Sequence, residues 1–432
     1  MVVDVKMKPR VLVVGINAWR TDGTAHTLMD IFSCWDPENV ALVYTRADLP
    51  NTKACKRFFQ ISESQVIQSV VKPWIKVGRV VENTPNGNTV EIATERERYA
   101  KAHKKPSAIL PLIREFVWKL GRWKTPALKQ FVEDFNPDII FVPIYPTAYM
   151  GRIQRYITKL TGKPTVCYLA DDNYSYDACS NIWQYIHRFW LRKHVGPIAK
   201  NCKEMFVIVD KEKEDTDTRF ETDSVILTKS IDFSGKSYTH RTPNSPLKFV
   251  YTGSLIIGRD KTLALLADAI NAVNKDGVKA ELYIYSQTMP NDEILWHINV
   301  GAAHFCGRIG REEVLKVQQE ADVVVFAEAL EGKEANVAKL SFSTKITDYI
   351  SNGKCVLAIG KDYIAPIDYF QRNDAAIIAH SAEEIGRCVK QIVDNPIIVD
   401  EYGEKAYNCA VRNHEKQMME QRFIDTMYKA LR

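Results

Sequence analysis

Short apolar runs punctuated by glycine, proline and polar residues recur along the chain, with helical periodicity between them. Arg10–Gly15, Val40–Tyr44, Asp138–Val142, Thr165–Leu169, Met205–Val209 and Val225–Leu227 read as strands. They are apolar almost throughout rather than alternating, as parallel strands covered on both faces are. A polar, proline-bearing link, Ser237 to Pro246, precedes a second series. That series is Lys248–Tyr251, Ala280–Tyr285, Val300–Cys306, Asp322–Phe326, Val356–Ile359 and Ala375–Ile378. Strand and helix alternate, so the expected class is α/β, with two Rossmann-like domains whose parallel sheets face a central cleft. The expected boundaries are 1–238 and 247–400, followed by a polar helical tail, 401–432, expected to cross back onto the first domain.

The chain has 432 residues, 46% hydrophobic and 26% charged, enough for two domains with sizeable cores. No apolar run reaches membrane-spanning length and the start lacks a signal-peptide core, so a cytoplasmic protein is expected. Nine cysteines are scattered without Cys-x-x-Cys pairs or clustered histidines, which argues against a disulfide framework and a zinc site. A net charge of +5 without a recognised binding module gives no case for nucleic acid.

The densest chemistry lies in Ser341–Gly360. A polar turn leads into a helix with Ile346, Tyr349 and Ile350 on one face, which breaks at Gly353 before another apolar run. Backbone N–H groups, the hydroxyls of Ser343 and Thr344 and the Lys345 ammonium meet at that helix start, a combination suited to phosphate. Asp348, one turn on, is placed to accept hydrogen bonds from a ribose diol. The plainer reading is a helix capped by Ser343 and Thr344 in an ordinary αβ unit.

This segment resembles the nucleotide-binding signature of GT-B glycosyltransferases of the large retaining group, family 4. Ser343-Thr344-Lys345 stands for its Pro-Ser-Lys, Asp348 for its ribose-binding Glu, and Gly353-Lys354-Cys355-Val356 for its Gly-Lys-Pro-Val. The resemblance continues at Lys248–Leu255, a strand ending in Gly253. There the family places a glycine beside the diphosphate, then an Arg and a Lys. Ser254 stands at the usual Arg position, Arg259 falls near the Lys, and Lys261 is a further cation. Near the N-terminus, Asp22-Gly-Thr-Ala-His26 resembles the glycine loop that covers the sugar. By that resemblance Gly23 gives a close backbone approach, and His26 reads either as a catalytic or as a packing residue.

The family's sugar-directed glutamate lies eight positions before the ribose acid, where this chain has Leu340. Glu328, Glu331 and Glu334 precede it, none in register. Asp171 and Asp172 follow the strand Thr165–Leu169 at the end where ligands sit in such sheets. They read either as acids for an acceptor hydroxyl or as the cap of a helix from Tyr174 to Trp190. Arg259, Lys345 and helix termini would hold the diphosphate without a metal, and no cofactor is expected beyond a nucleotide-diphosphate sugar as substrate.

Residues 101–130 mix Phe116, Trp118, Leu120 and Trp123 with Lys119, Arg122 and Lys124. Such a stretch suits an anionic membrane surface, or else a packed helix with solvated cations. Together these features imply a glycosyltransferase moving a sugar from a nucleotide donor to a glycan, or lipid-linked glycan, in surface-polysaccharide synthesis. A nucleotide-sugar 2-epimerase and a non-catalytic nucleotide-sugar-binding subunit are the alternatives.

Overall fold

The structure, a computed structural model, describes residues 8–21, 27–84 and 109–432. Gly23, His26 and the part of the basic stretch before residue 109 lie outside the described residues. The chain forms two compact units. One holds the described residues up to Val207, with Lys213–Thr228 and Glu420–Arg432; the other holds Ile208–Glu212 and Lys229–Met419.

In the first unit the strands are β1 (Val11–Val14), β2 (Val40–Tyr44), β3 (Arg57–Gln60), β4 (Arg79–Val81), β5 (Ile139–Pro143), β6 (Thr165–Leu169), β7 (Glu204–Val207) and β8 (Val225–Ile226). Their order is β4-β3-β2-β1-β5-β6-β7-β8. All neighbours are parallel except β3 and β4. β3 and β4 were not expected from the sequence. β4 is a half-exposed edge strand and β3 has polar ends, so neither carries the continuous apolar run of a strand covered on both faces.

The second unit contains β9 (Leu247–Thr252), β10 (Ala280–Tyr285), β11 (Ala303–Gly307), β12 (Val323–Ala327), β13 (Cys355–Ile359) and β14 (Ile377–Ala379). They run parallel in the order β11-β10-β9-β12-β13-β14. Helix Ala382–Asp394 shows how sequence builds this layer. Ser381 accepts the Glu384 amide at 3.2 Å and starts the helix, and Ile385, Cys388, Val389 and Ile392 recur on one buried face. That face packs on helix Arg259–Val273. Each large side chain so buried contributes about 1.5–3 kcal/mol. In each sheet the strand order reverses once, between β1 and β5 and between β9 and β12. At such a reversal the loops leaving neighbouring strands diverge and open a crevice at the strands' carboxyl ends.

Residues 229–238 belong to the second unit, although the sequence reading put the first domain's end at 238. Local pairing holds them there: Ile231 bridges to Glu415, and the Tyr238 hydroxyl donates to Asp400. The tail also divides. Helix Ile398–His414 stays in the second unit, while residues from Glu420 onward join the first, where Phe423 lies in an aromatic cluster with Phe32, Phe141 and Phe206.

The basic aromatic stretch resolves into helices Leu110–Leu120 and Pro126–Phe135. Its tryptophans are packing residues and not surface ones. Trp118 is wholly buried and stacks on Tyr149 at 4.3 Å, and Trp123 donates to the Trp118 carbonyl at 3.1 Å. Exposed large apolar residues here are Ile109, Leu110, Ile113, Phe116 and Leu120, of which Ile109, Ile113, Phe116 and Leu120 are spaced along one helical face.

His414 is the polar centre of the second unit's interior. Its Nδ1 lies 3.0 Å from the Lys229 carbonyl and its Nε2 2.9 Å from the Tyr369 hydroxyl, while Phe342 stacks on the ring. Burial, then the Lys229 charge, lowers its pKa from 6.5 to about 4 against the opposing bond to the Lys229 carbonyl. The unfolded chain therefore takes up a proton before the folded one does. Stability is full above pH 6.5 and falls as the pH drops from 6.5 to 4, by a total on the order of 3 kcal/mol from this group. His414→Gln, which can donate and accept like the neutral ring, should flatten that slope in urea unfolding across this range. An unchanged slope would assign the acid sensitivity elsewhere.

Candidate functional site

The reversal between β9 and β12 brings together most of the sequence-selected groups of the second unit. β9 ends at Thr252, and Gly253 follows. A Cβ on Gly253 would lie 2.5 Å from the Tyr251 hydroxyl, which donates to the Ser254 carbonyl at 2.7 Å. Gly253 is thus required by the ring folded beneath it. The chain turns at Gly258, with φ +72°, where a Cβ would sit 2.8 Å from both Ala329 and a Glu334 carboxylate oxygen. Helix Arg259–Val273 begins there and aims Arg259 back across the end of β12.

Arg259 meets Glu328, the residue after β12, in two parallel hydrogen bonds of 2.8 Å each. Glu328 is 5% exposed. Its amide donates to Ile359 and its carbonyl accepts the Thr262 hydroxyl at 2.9 Å, so backbone and side chain are both fixed. Burial disfavours the Arg259 cation, but the bonds and charge of Glu328 outweigh this and raise its pKa. Two guanidinium N–H groups face the carboxylate, and a guanidinium has further donors for an anion. Of the three loop glutamates considered from the sequence, Glu328 is the one joined to a candidate cation.

Lys345 enters from the next β-α connection. Its ammonium donates to the Thr252 carbonyl at 2.8 Å, although the residue as a whole keeps solvent access. Desolvation, then the neighbouring Arg259 charge, lowers its pKa, while Glu328 and Asp348 act the other way. An arriving anion would relieve both depressing effects. Ser343 occupies the N-cap of helix Thr344–Ser351 without a side-chain bond to the helix amides. Thr344 is exposed beside it. Asp348 is engaged by the Lys229 ammonium, a partner that no sequence pattern indicated. The Ser254 hydroxyl is 3.3 Å from that of Thr288. Lys261 is exposed and makes no ion pair among the described residues.

Asp171 and Asp172 lie in the first unit, after β6. Asp171 is exposed. Asp172 accepts the amides of Tyr174 at 3.1 Å and Ser175 at 2.8 Å and pairs with the Ser175 hydroxyl. Burial pushes its pKa up, but these bonds and the Arg188 charge prevail and hold it below the usual value. Asp172 thus orders a turn. The helix expected from Tyr174 begins only at Ile182, capped by Asn181, whose side chain accepts the Gln184 amide at 3.1 Å. The aromatic run Tyr174–Tyr176 is instead held by Arg192, which stacks over both tyrosines.

The Arg259–Glu328 pair should be energetically coupled. In a double-mutant cycle of Arg259→Ala and Glu328→Ala, the interaction energy from urea unfolding is expected at about 1–3 kcal/mol, since each single variant strands a largely desolvated charge. A coupling near zero would show that the pair is not maintained in solution.

No family model matches the chain, and no curated protein matches its sequence. Solved structures do match the fold. HepE from Anabaena, determined with UDP and glucose, aligns with a TM-score of 0.61 at 9% identity over 97% of this chain and 99% of that one. Sucrose-phosphate synthase from Thermosynechococcus elongatus aligns at 0.57 with 11% identity over 96% of each chain. A glycosyltransferase from Rickettsia africae aligns at 0.57 with 10% identity over 98% of this chain and 99% of that one. The architecture these chains share, two Rossmann-like α/β units joined in a single fold, is GT-B.

Proposed function

We propose that the protein is a glycosyltransferase that takes a sugar from a nucleotide-diphosphate donor. The observation that carries this reading is the meeting of Arg259, Lys345 and Asp348 at the strand-order reversal of the second sheet. Two cations beside a helix N-terminus suit a diphosphate, and a carboxylate one turn along suits a ribose diol. The likeness in fold to HepE, which was also solved with UDP-glucose, supports a nucleotide sugar as the ligand.

In this reading Arg259 and Lys345 neutralise the charge that develops on the departing diphosphate, the task a divalent ion performs in other transferases. Lys229 holds Asp348 oriented until the ribose hydroxyls arrive. Asp171 and Asp172 serve the acceptor side, Asp171 through its exposed carboxylate and Asp172 through the turn it orders. The acceptor is a glycan, lipid-linked, of a surface polysaccharide, and the reaction takes place at the inner face of a membrane. Support for the membrane comes from the exposed stripe Ile113, Phe116 and Leu120 interleaved with Lys119. No helix among the described residues is long and apolar enough to cross a membrane.

Purified protein incubated with UDP-, GDP- and dTDP-sugars, with and without lipid-linked glycans, tests the assignment. Sugar transfer is the expected result. Interconversion of the donor without an acceptor would make it an epimerase, and binding without turnover a nucleotide-sugar-binding subunit.

Asp348→Ala should weaken nucleoside diphosphate binding by about 1–2 kcal/mol and abolish the preference for the ribose form over its 2′,3′-dideoxy counterpart. Calorimetry with both ligands measures this, and a preference that survives would remove Asp348 from the ribose site. On the acceptor side, Asp171→Asn should lower transfer by about 10²-fold with donor affinity and melting temperature retained. Asp172→Asn should lower the melting temperature as well, because an amide cannot accept all the bonds its carboxylate does. Near-normal transfer by both variants would exclude the pair from the mechanism.

A further inference from the structure

The first unit contains a cavity of about 920 Å³ that the proposed reaction does not use. It is lined by Thr165, the first residue of β6, by residues of the segment 118–124, and by helices Ala148–Thr161 and Ile182–Asn201 from Arg152 and His194 to their C-terminal ends. It therefore lies toward the end of the sheet where strands begin, opposite the carboxyl ends at which ligands of such sheets are bound. Its volume is that of an ordinary small-molecule site.

The electrostatics of the wall are one-sided. Lys119, Arg122, Lys124, Arg152, Arg155 and Lys159 all line it, and among the described residues no Asp or Glu does. Arg152 is neutralised by Glu115, whose oxygen lies 3.0 Å away. None of the other five forms an ion pair among the described residues. Two of these cations are pre-arranged: Arg152 by its ion pair, and Lys124 by lying 5.4 Å over the rings of both Trp123 and Tyr156. Two polar atoms of the lining side chains, Arg152 Nε and His194 Nδ1, are buried without a hydrogen-bond partner. Burial, then the Arg152 and Arg155 charges, lowers the His194 pKa to about 4.

Like charges gathered around one concavity raise the local positive potential and attract anions. We propose that this cavity binds a phosphorylated ligand through a diphosphate or a pair of phosphate groups, independently of the nucleotide site in the second unit. Arg155 and Lys159, one turn apart on a single helix, grip the anion from one side. Lys119 and Arg122 grip it from the other. The half-buried ring of Tyr156 accommodates the uncharged remainder. The same chemistry occurs on soluble phosphometabolites and on phospholipid headgroups.

Inorganic pyrophosphate is the probe. Calorimetric titration of the full chain is compared among wild type, Arg155→Ala/Lys159→Ala, Lys119→Ala/Arg122→Ala, and Lys345→Ala, the last to account for pyrophosphate bound at the other cationic site. The four substituted cations are exposed, so each double variant should melt like wild type. The expected result is a site that Lys345→Ala retains and that each double variant weakens by roughly tenfold or more, the scale of a lost charge-assisted hydrogen bond. Phosphatidylcholine vesicles containing phosphatidic acid then identify the source. Displacement of pyrophosphate from this site supports a headgroup, and retention supports a soluble ligand. Absence of pyrophosphate binding, or binding abolished in Lys345→Ala and unchanged in both double variants, overturns the proposal.

Discussion

The pairing of Arg259 with Glu328 fixes the geometry on which the second unit's site depends. It joins the start of the helix after β9 to the residue that follows β12, the two strands between which chain order reverses. An ion pair so largely removed from water contributes little net stability, because desolvation offsets most of the attraction. What it provides is direction. The guanidinium plane is held by two bonds, so its remaining donors have a defined orientation. Lys345 is drawn close enough to feel both charges. A cation positioned in this way needs no rearrangement when an anion arrives, and preorganisation of that kind gives electrostatic stabilisation most of its effect.

Much of this was legible in the sequence, and what was not shares a physical cause. Local patterns carried the buried strands and the helix that opens at Thr344, because each depends on neighbours within a few positions, whereas Arg259 was picked out by the family resemblance. The pairings that give those residues their states are long-range. Glu328 lies 69 residues from Arg259, and Lys229 lies 119 residues from Asp348. No periodicity encodes such distances. Counting positions back from Asp348 pointed to Leu340 and left Glu328 without a role, because register along the chain does not measure where a loop returns in space. The acidic pair after β6 shows another limit. A carboxylate before a run of aromatic residues reads as a helix cap, whereas here the aromatics are held out of helical geometry by stacking under Arg192.

The tryptophans at positions 118 and 123 make the same point about composition. An interleaving of aromatic and basic residues is the same string whether the rings face solvent or the core, and only packing against Tyr149 and the rest of the first unit decides it. Once the rings turn inward, the cations are left concentrated on the outer rim and around the cavity beside them. One stretch of sequence thus supplies part of a hydrophobic core and the positive wall of a concave surface.

The placement of Phe423 bears on how the protein is made. Its ring completes a cluster with Phe32, Phe141 and Phe206, yet the chain passes through the whole of the second unit before returning to supply it. During synthesis the first sheet emerges early but has to wait with an aromatic slot unfilled, its apolar lining open to water or to a chaperone, until the distant helix is released. Order of emergence from the ribosome is therefore not order of completion: the unit begun first can close its core only after the chain of the second has been made.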